Sequence, residues 1–266
     1  MRPFPIFASL LITFSAQAAQ AYTEGDVPAA KLLEAVKQGT IFPETKNAFQ
    51  HDMEKPKNTS MYGLKNATTW TADFDVDCDG TETANCNKKR DPWFQNQLSI
   101  GVNLKADEVP YFVIPISSPS NSSKRDIQFG QIAALIFNDQ VVFAVFVDEC
   151  GVSSLIGEGS YAAAKLLGID PDPNTGGSDG PATFLVFTGP TGRITDRSLY
   201  TNHQKAIEIA TSAHSLDIFD TQGRNAFSRE GRGPWVYDLT GLKAGLYTVK
   251  LATPGKVQTS RLAYFP

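Results

Sequence analysis

From Thr68 onward the apolar residues of this chain come in short runs rich in Val, Ile, Phe and Tyr, and that pattern limits the fold more than any other feature. The runs occupy residues 98–102, 111–116, 131–137, 141–147 and 184–187. Each is too short for an ordinary helix and lies among turn-forming residues, so the series predicts strands joined by turns. Residues 141–147 are apolar throughout and predict a buried strand. Two segments depart from the series. Residues 26–38 carry Asp26 as a cap, an early Pro28, apolar residues at helical spacing and Gly39 just past the end, which predicts a short amphipathic helix. Residues 158–168 place alanines and leucines on one face and end on Gly168, a second helix. Residues 117–123 and 170–180 are dense in polar, Pro and Gly residues and read as exposed loops. From about Ala213 the pattern restarts, with strands expected at 215–219, 235–239, 245–251 and 257–265 and a turn at 221–224. That spacing suits a small β-sandwich.

The N-terminus has a single charge at Arg2, an apolar run over residues 6–14 and small residues over 15–21, the arrangement of an export signal. The run is far below the roughly 20 residues a membrane-spanning helix needs. No later segment reaches that length without a charge, proline or glycine, so the mature chain is expected to be exported, soluble and without a membrane span. Acidic residues outnumber basic ones, 28 to 24, and no basic run exceeds Lys88-Lys89-Arg90. Nucleic acid is therefore not an expected partner, whereas an acidic surface suits a cationic polymer. Cys78 and Cys86 close a loop short enough to bridge in an oxidising compartment. Cys150 is then left as a buried thiol with no nearby His in sequence to activate it. His51, His203 and His214 lack metal-type spacing and read as surface residues. Three Asn-x-Ser/Thr sequons, at Asn58, Asn66 and Asn121, match glycosylation acceptors and carry no further inference. Trp70, Trp93, Phe94 and Tyr111 are able to stack on sugar rings, although core packing is the commoner use of aromatics.

Two constellations carry chemistry. Asp73, Asp75, Asp77 and Asp79 alternate and end on Gly80. Asp75, Asp77, Asp79 and Gly80 match the start of a calcium loop, but the twelfth position, where a bidentate Glu belongs, is Cys86, or Ala84 if the loop starts at Asp73. On a strand the four carboxylates share one face. Such a face meets either solvent or a cationic ligand, because like charges side by side repel. The second constellation runs from the strand over 141–147 into Asp148, through a short loop, to Glu158 at the start of the alanine-rich helix. Apolar approaches on both sides separate the two carboxyl pKa values, so that one donates a proton while the other accepts. The bland alternatives are a turn aspartate and a first-turn glutamate favoured by the helix dipole.

Three segments, residues 72–80 with Cys86 and 95–97, residues 109–115, and residues 148–167, resemble the chitosanases of glycoside hydrolase family 75 in order and spacing. The resemblance covers roughly residues 26–190. It implies an endo-acting, inverting hydrolase of β-1,4 bonds in chitosan, with Asp148 and Glu158 as the catalytic pair and no metal or organic cofactor. Asp73, Asp75, Asp77 and Asp79 are the candidate groove for the cationic substrate, and a monomer is the expected state. The family usually has Gly before the aspartate and Gly-Pro soon after, where this chain has Val147 and then Glu149-Cys150-Gly151-Val152. The third segment is also similar to double-psi β-barrels such as expansins and rare-lipoprotein-A-type proteins. The expected fold is thus all-β dominated: a double-psi-like catalytic barrel with short helices, plus the small C-terminal sandwich. The boundaries are residues 1–21 for the signal, 22–200 for the catalytic domain and 212–266 for the tail, which resembles modules appended to secreted bacterial enzymes. A cell-wall protein on the same barrel, either a peptidoglycan lytic transglycosylase or a non-catalytic polysaccharide-binding module, is the rival, and only the two-carboxylate hydrolase requires Glu158. Analogy favours Asp148 as the acid, and solvation at a helix start would leave Glu158 as the base; the sequence leaves the order open.

Overall fold

A computed structural model describes residues 23–53, 55–115, 127–189, 192–211, 213–232, 242–253 and 256–264. The expected signal over 1–21 and the expected loop over 117–123 lie outside them. The N-terminal part carries α1 (Ala29–Val36), β1 (Thr40–Ile41) and β2 (Tyr62–Leu64), followed by the long strand β3 (Ala67–Asp77). Then come β4 (Tyr111–Pro115), β5 (Ile132–Phe137), β6 (Gln140–Cys150), β7 (Glu158–Ser160), α2 (Tyr161–Leu166), β8 (Ser178–Phe187) and α3 (His203–Thr211). β3, β7, β4, β6, β5 and β8 pair in that order and β8 returns to β3, closing a six-stranded barrel with β1 and β2 appended at β3. Closure leaves the barrel no free edge. The β3–β7 and β4–β6 pairs are parallel and the other barrel pairs antiparallel.

Continuous apolar runs make sense because the barrel strands are covered on both faces. Along β6, Val142, Ala144 and Phe146 join one buried cluster with Trp70, Phe74, Phe112 and Phe184. Trp70 and Phe184 stack at 5.2 Å, and Phe112 and Phe146 at 5.4 Å. Val141, Phe143, Val145 and Val147 face a second cluster that takes in Ala29 of α1 and Ala206 and Ala210 of α3. The polar stretch around Thr201 therefore leads into a helix packed on the barrel. His203 of α3 meets the buried Glu24 carboxylate at 2.6 Å, and the other oxygen of Glu24 accepts the backbone N–H of Phe143 at 2.6 Å.

Several expectations are revised. Residues 98–102 form turns rather than a strand. The helix expected over 158–168 begins only at Tyr161: Ser160 is its cap, accepting the Ala163 N–H at 3.2 Å, and Glu158 belongs to β7. The tail strands are β9 (Ala213–Phe219), β10 (Asn225–Arg232), β11 (Gly245–Thr253) and β12 (Lys256–Tyr264), forming one antiparallel sheet in the order β10-β9-β11-β12. The strand expected over 235–239 lies outside the described residues. No helix among the described residues is long and apolar enough to cross a membrane.

Candidate active site

β3, β7 and β6 each deliver carboxylates to one place. In the parallel β3–β7 pair Asp75 is opposite Glu158 and Asp77 opposite Ser160, so Asp75 and Glu158 project side by side on one face. Gly157, just before Glu158, has φ +123°, and an added Cβ would come within 2.8 Å of the Asp73 carbonyl. Only glycine admits this close approach, which lets the Gly157 carbonyl accept the Asp75 N–H at 3.1 Å. Asp77, Asp79 and the buried Asp148 place carboxylate oxygens within 4.8 Å of one another. These three are the candidate cation ligands among the described residues. Asp148 comes from β6, so the group is not the single calcium loop that the spacing of Asp75, Asp77 and Asp79 suggested.

Each carboxylate of that trio already accepts hydrogen bonds. Asp148 Oδ1 accepts from the Ser99 N–H at 2.8 Å and the Ser99 hydroxyl at 2.6 Å. Asp79 Oδ1 accepts from the Gln95 N–H at 2.6 Å. Asp77 Oδ1 accepts from the Asp79 N–H at 2.6 Å and lies 3.0 Å from the hydroxyl of the fully buried Tyr111. The disulfide joining Cys78 to Cys86 ties down the loop beyond Asp77.

Burial dominates the electrostatics. It pushes Glu158 up to about 8, helped by the neighbouring Asp75 charge, and raises Asp75 and Asp79 to about 7. Burial, with Asp79, Asp148 and Glu158 as neighbouring charges, raises Asp77 well above the carboxylate range. Burial also raises Asp148, but the two Ser99 hydrogen bonds pull the other way by stabilising its anion. The Cys150 thiol hydrogen-bonds Glu158, and burial pushes the thiol up to about 12. It is thus a neutral partner of the glutamate, neither a nucleophile nor merely a small hydrophobe. Strongly perturbed carboxyl groups gathered in one place are what acid/base chemistry at mild pH requires.

Asp73, whose charge raises its strand neighbour Asp75, has further partners of its own. It is 5% exposed, its backbone N–H donates to His51 Nδ1 at 2.7 Å, and its carboxylate lies 3.1 Å from His51 and 3.7 Å from Lys55. Lys55 also bonds Asp179 at 3.2 Å. The aspartates over 73–79 therefore divide, with Asp73 held in a charge network and Asp75, Asp77 and Asp79 joined to Glu158 and Asp148. Neither His51 nor His203 is a bare surface residue. Of the aromatics, Trp70, Tyr111 and Phe94 are buried, whereas Trp93 is 86% exposed.

Carboxyl groups of unequal proton affinity, fixed on the strands of a closed barrel, are the kind of arrangement glycoside hydrolases use for acid–base chemistry. Residues 74–217, more than half of the chain, match the family model for fungal chitosanases of glycosyl hydrolase group 75, and the chain belongs to that family. It is 32% identical over 140 residues to an endo-chitosanase C of Aspergillus oryzae, a match covering 52% of this chain and 36% of that protein. A second A. oryzae endo-chitosanase C is 31% identical over 143 residues with the same coverage. The chain thus spans about a third of the length of the curated relatives it matches.

Proposed function

We propose that the chain is an exported endo-chitosanase that cleaves β-1,4 bonds between glucosamine units by inversion, with Glu158 as the general acid and Asp148 as the general base. The observation that carries this reading is the unequal setting of the two groups. Burial and the neighbouring Asp75 charge hold the Glu158 proton to about pH 8, against the Cys150 thiol, whose hydrogen bond favours the anion. Asp148 keeps an anion-stabilising pair of hydrogen bonds from Ser99. This reverses the order that helix-start solvation suggested, because Glu158 lies on β7. Inversion is supported by the family likeness and needs no cofactor, only an acid, a base and a water between them. Asp75 and Asp79, raised to about 7 by burial, are proposed to meet a substrate ammonium group, whose positive charge would favour their ionised form and a charge-assisted hydrogen bond.

The test is incubation of the purified protein with chitosan, chitin, cellulose and peptidoglycan. Reducing ends released from chitosan, with the α-anomer seen first by NMR, support the reading; release from peptidoglycan alone overturns it in favour of a cell-wall enzyme. Ser99→Ala tests the base assignment. Losing the hydroxyl removes a hydrogen bond to a charged group, worth roughly 1.5–3 kcal/mol, so Asp148 keeps its proton to a pH higher by about one unit or more. The acidic limb of the pH–rate profile should move upward while the alkaline limb stays in place. A uniform loss at every pH would mean that Ser99 only supports the fold.

The tail is proposed to be a separate module. A chain ending at Thr211 retains α3 and the Glu24–His203 contact, and is expected to keep the barrel's melting transition and its activity on short oligomers. One ending at Tyr200 loses the buried Ala206 and Ala210 as well as that contact, and is expected to lose roughly 2–5 kcal/mol of stability, read by chemical denaturation.

A further inference from the structure

Among the described residues Trp93 is the most exposed large apolar side chain, at 86%, and the loop that carries it is built against the carboxylate group. Two residues on, the Gln95 N–H donates to Asp79 Oδ1 at 2.6 Å, and the Gln95 carbonyl accepts the Gly80 N–H at 2.9 Å. Six residues on, Ser99 holds Asp148 through its N–H and hydroxyl. Residues 95–99 therefore rim the site, and Trp93 stands within two residues of that rim. A side chain two residues from Gln95 is within about 7 Å of it along the backbone, which is less than one disaccharide unit.

The loop is held rather than loose. The buried Asp91 accepts the Trp93 N–H at 2.8 Å, and its carbonyl accepts the Phe94 N–H at 3.2 Å, while Phe94 and Leu98 insert into the core. Lys88 donates to the Pro92 carbonyl, and Arg90 pairs with Asp172 at 2.9 Å. A fixed backbone that buries Phe94 and turns the adjacent indole into solvent leaves an apolar face for which the fold has no internal use. Isolated exposed apolar residues are common; an exposed tryptophan on a pinned loop beside a group of acidic residues is a surface for a ligand with both an apolar face and positive charge. A glucosamine ring offers both, C–H bonds on its face and an ammonium group at its edge, and indole attracts cations most strongly of the aromatic side chains.

We propose that Trp93 forms a sugar-stacking subsite at the rim of the acidic site, taking one pyranose ring of a glucosamine polymer while the adjoining unit meets Asp79. The proposal rests on the chitosanase reading above, and its test separates the two. In the Glu158→Gln protein, titration with glucosamine hexamer is followed by tryptophan fluorescence, with cellohexaose as the uncharged counterpart. The hexamer should shift and change the emission, cellohexaose should do so less, and the response should vanish when Trp93→Phe is added. In the active protein, Trp93→Ala should raise KM for chitosan by about tenfold, the effect of losing one stacking contact, with Trp93→Phe intermediate and the melting curve unchanged in both. Wild-type KM in Trp93→Ala, or a fluorescence response that persists in Trp93→Phe, overturns the subsite. If the wild-type protein releases no reducing ends from chitosan the chitosanase reading fails on its own. The titration still decides the subsite, since a Trp93-dependent response to the hexamer upholds it and none removes it.

Discussion

Glu158→Gln and Asp148→Asn are each expected to lower kcat on chitosan by about 10²- to 10⁴-fold, the usual cost of losing a general acid or base, while the protein stays folded. Both substitutions keep side-chain volume and remove one proton-transfer function. A leaving group that departs without a proton tells the two roles apart. On a nitrophenyl glycoside of a glucosamine oligomer, the Glu158→Gln protein should recover much of its lost rate, because nitrophenolate needs no general acid. Asp148→Asn should stay slow, because the attacking water still needs a base. The opposite pattern would make Asp148 the acid, as the analogy with other barrel hydrolases has it. Wild-type turnover in either variant would remove that residue from the chemistry altogether.

The barrel was legible because its strands are buried on both faces. Runs such as residues 141–147 and 131–137 carry an apolar residue on nearly every position, which only a covered strand tolerates. The same signal misleads at 98–102. Leu98 and Ile100 are buried there, but the Gly101 N–H returns to the Leu98 carbonyl at 2.8 Å as a turn, and this frees Ser99 to reach Asp148. β10 went unread for the converse reason: residues 225–232 have little apolar alternation and are held by ladder hydrogen bonds to β9, which leave no mark on composition. At the site, the carboxylates were visible as residue types, and Asp75, Asp77, Asp79, Asp148 and Glu158 do come together. Their unequal environments were not visible. A lone serine 49 residues from Asp148, or a cysteine beside Glu158, has no sequence signature, since the first contact is made by a turn folded onto the end of β6 and the second depends on how the chain between β6 and β7 returns. Ser160 was the missed signal for where α2 starts: a serine cap explains why Glu158, two residues earlier, is a strand residue with no helix N-terminus to stabilise its charge.

The melting temperature is expected to fall as pH rises from about 5 to about 8, opposite to the behaviour of a protein whose carboxylates are salt-bridged. In the unfolded chain the acidic groups release their protons near pH 4. In the folded protein burial holds the protons of Asp75 and Asp79 to about pH 7 and of Glu158 to about pH 8, and raises Asp77 and Asp148 in the same direction. Between those limits the folded state binds more protons than the unfolded one. The stability these groups contribute is therefore complete below about pH 4 and is lost as pH climbs through their folded values. Asp172, Asp196 and Asp220, which are lowered by local hydrogen bonds, act only below that window and do not offset the loss. Each unit of upward shift corresponds to about 1.4 kcal/mol, so Glu158 alone contributes roughly 2–4 kcal/mol of this slope, on the order of 10 °C in a domain of this size. Glu158→Gln cannot ionise, and its amide nitrogen is able to donate to Asp75. It should therefore raise the melting temperature at pH 8, leave it nearly unchanged at pH 5 and flatten the slope between, even as it abolishes hydrolysis. The two effects together are the signature of a site whose charge arrangement costs stability for the sake of function. A melting temperature that rises from pH 5 to 8, or a Glu158→Gln protein with the wild-type slope, would show that Glu158 is ionised across the whole range and is not the proton donor.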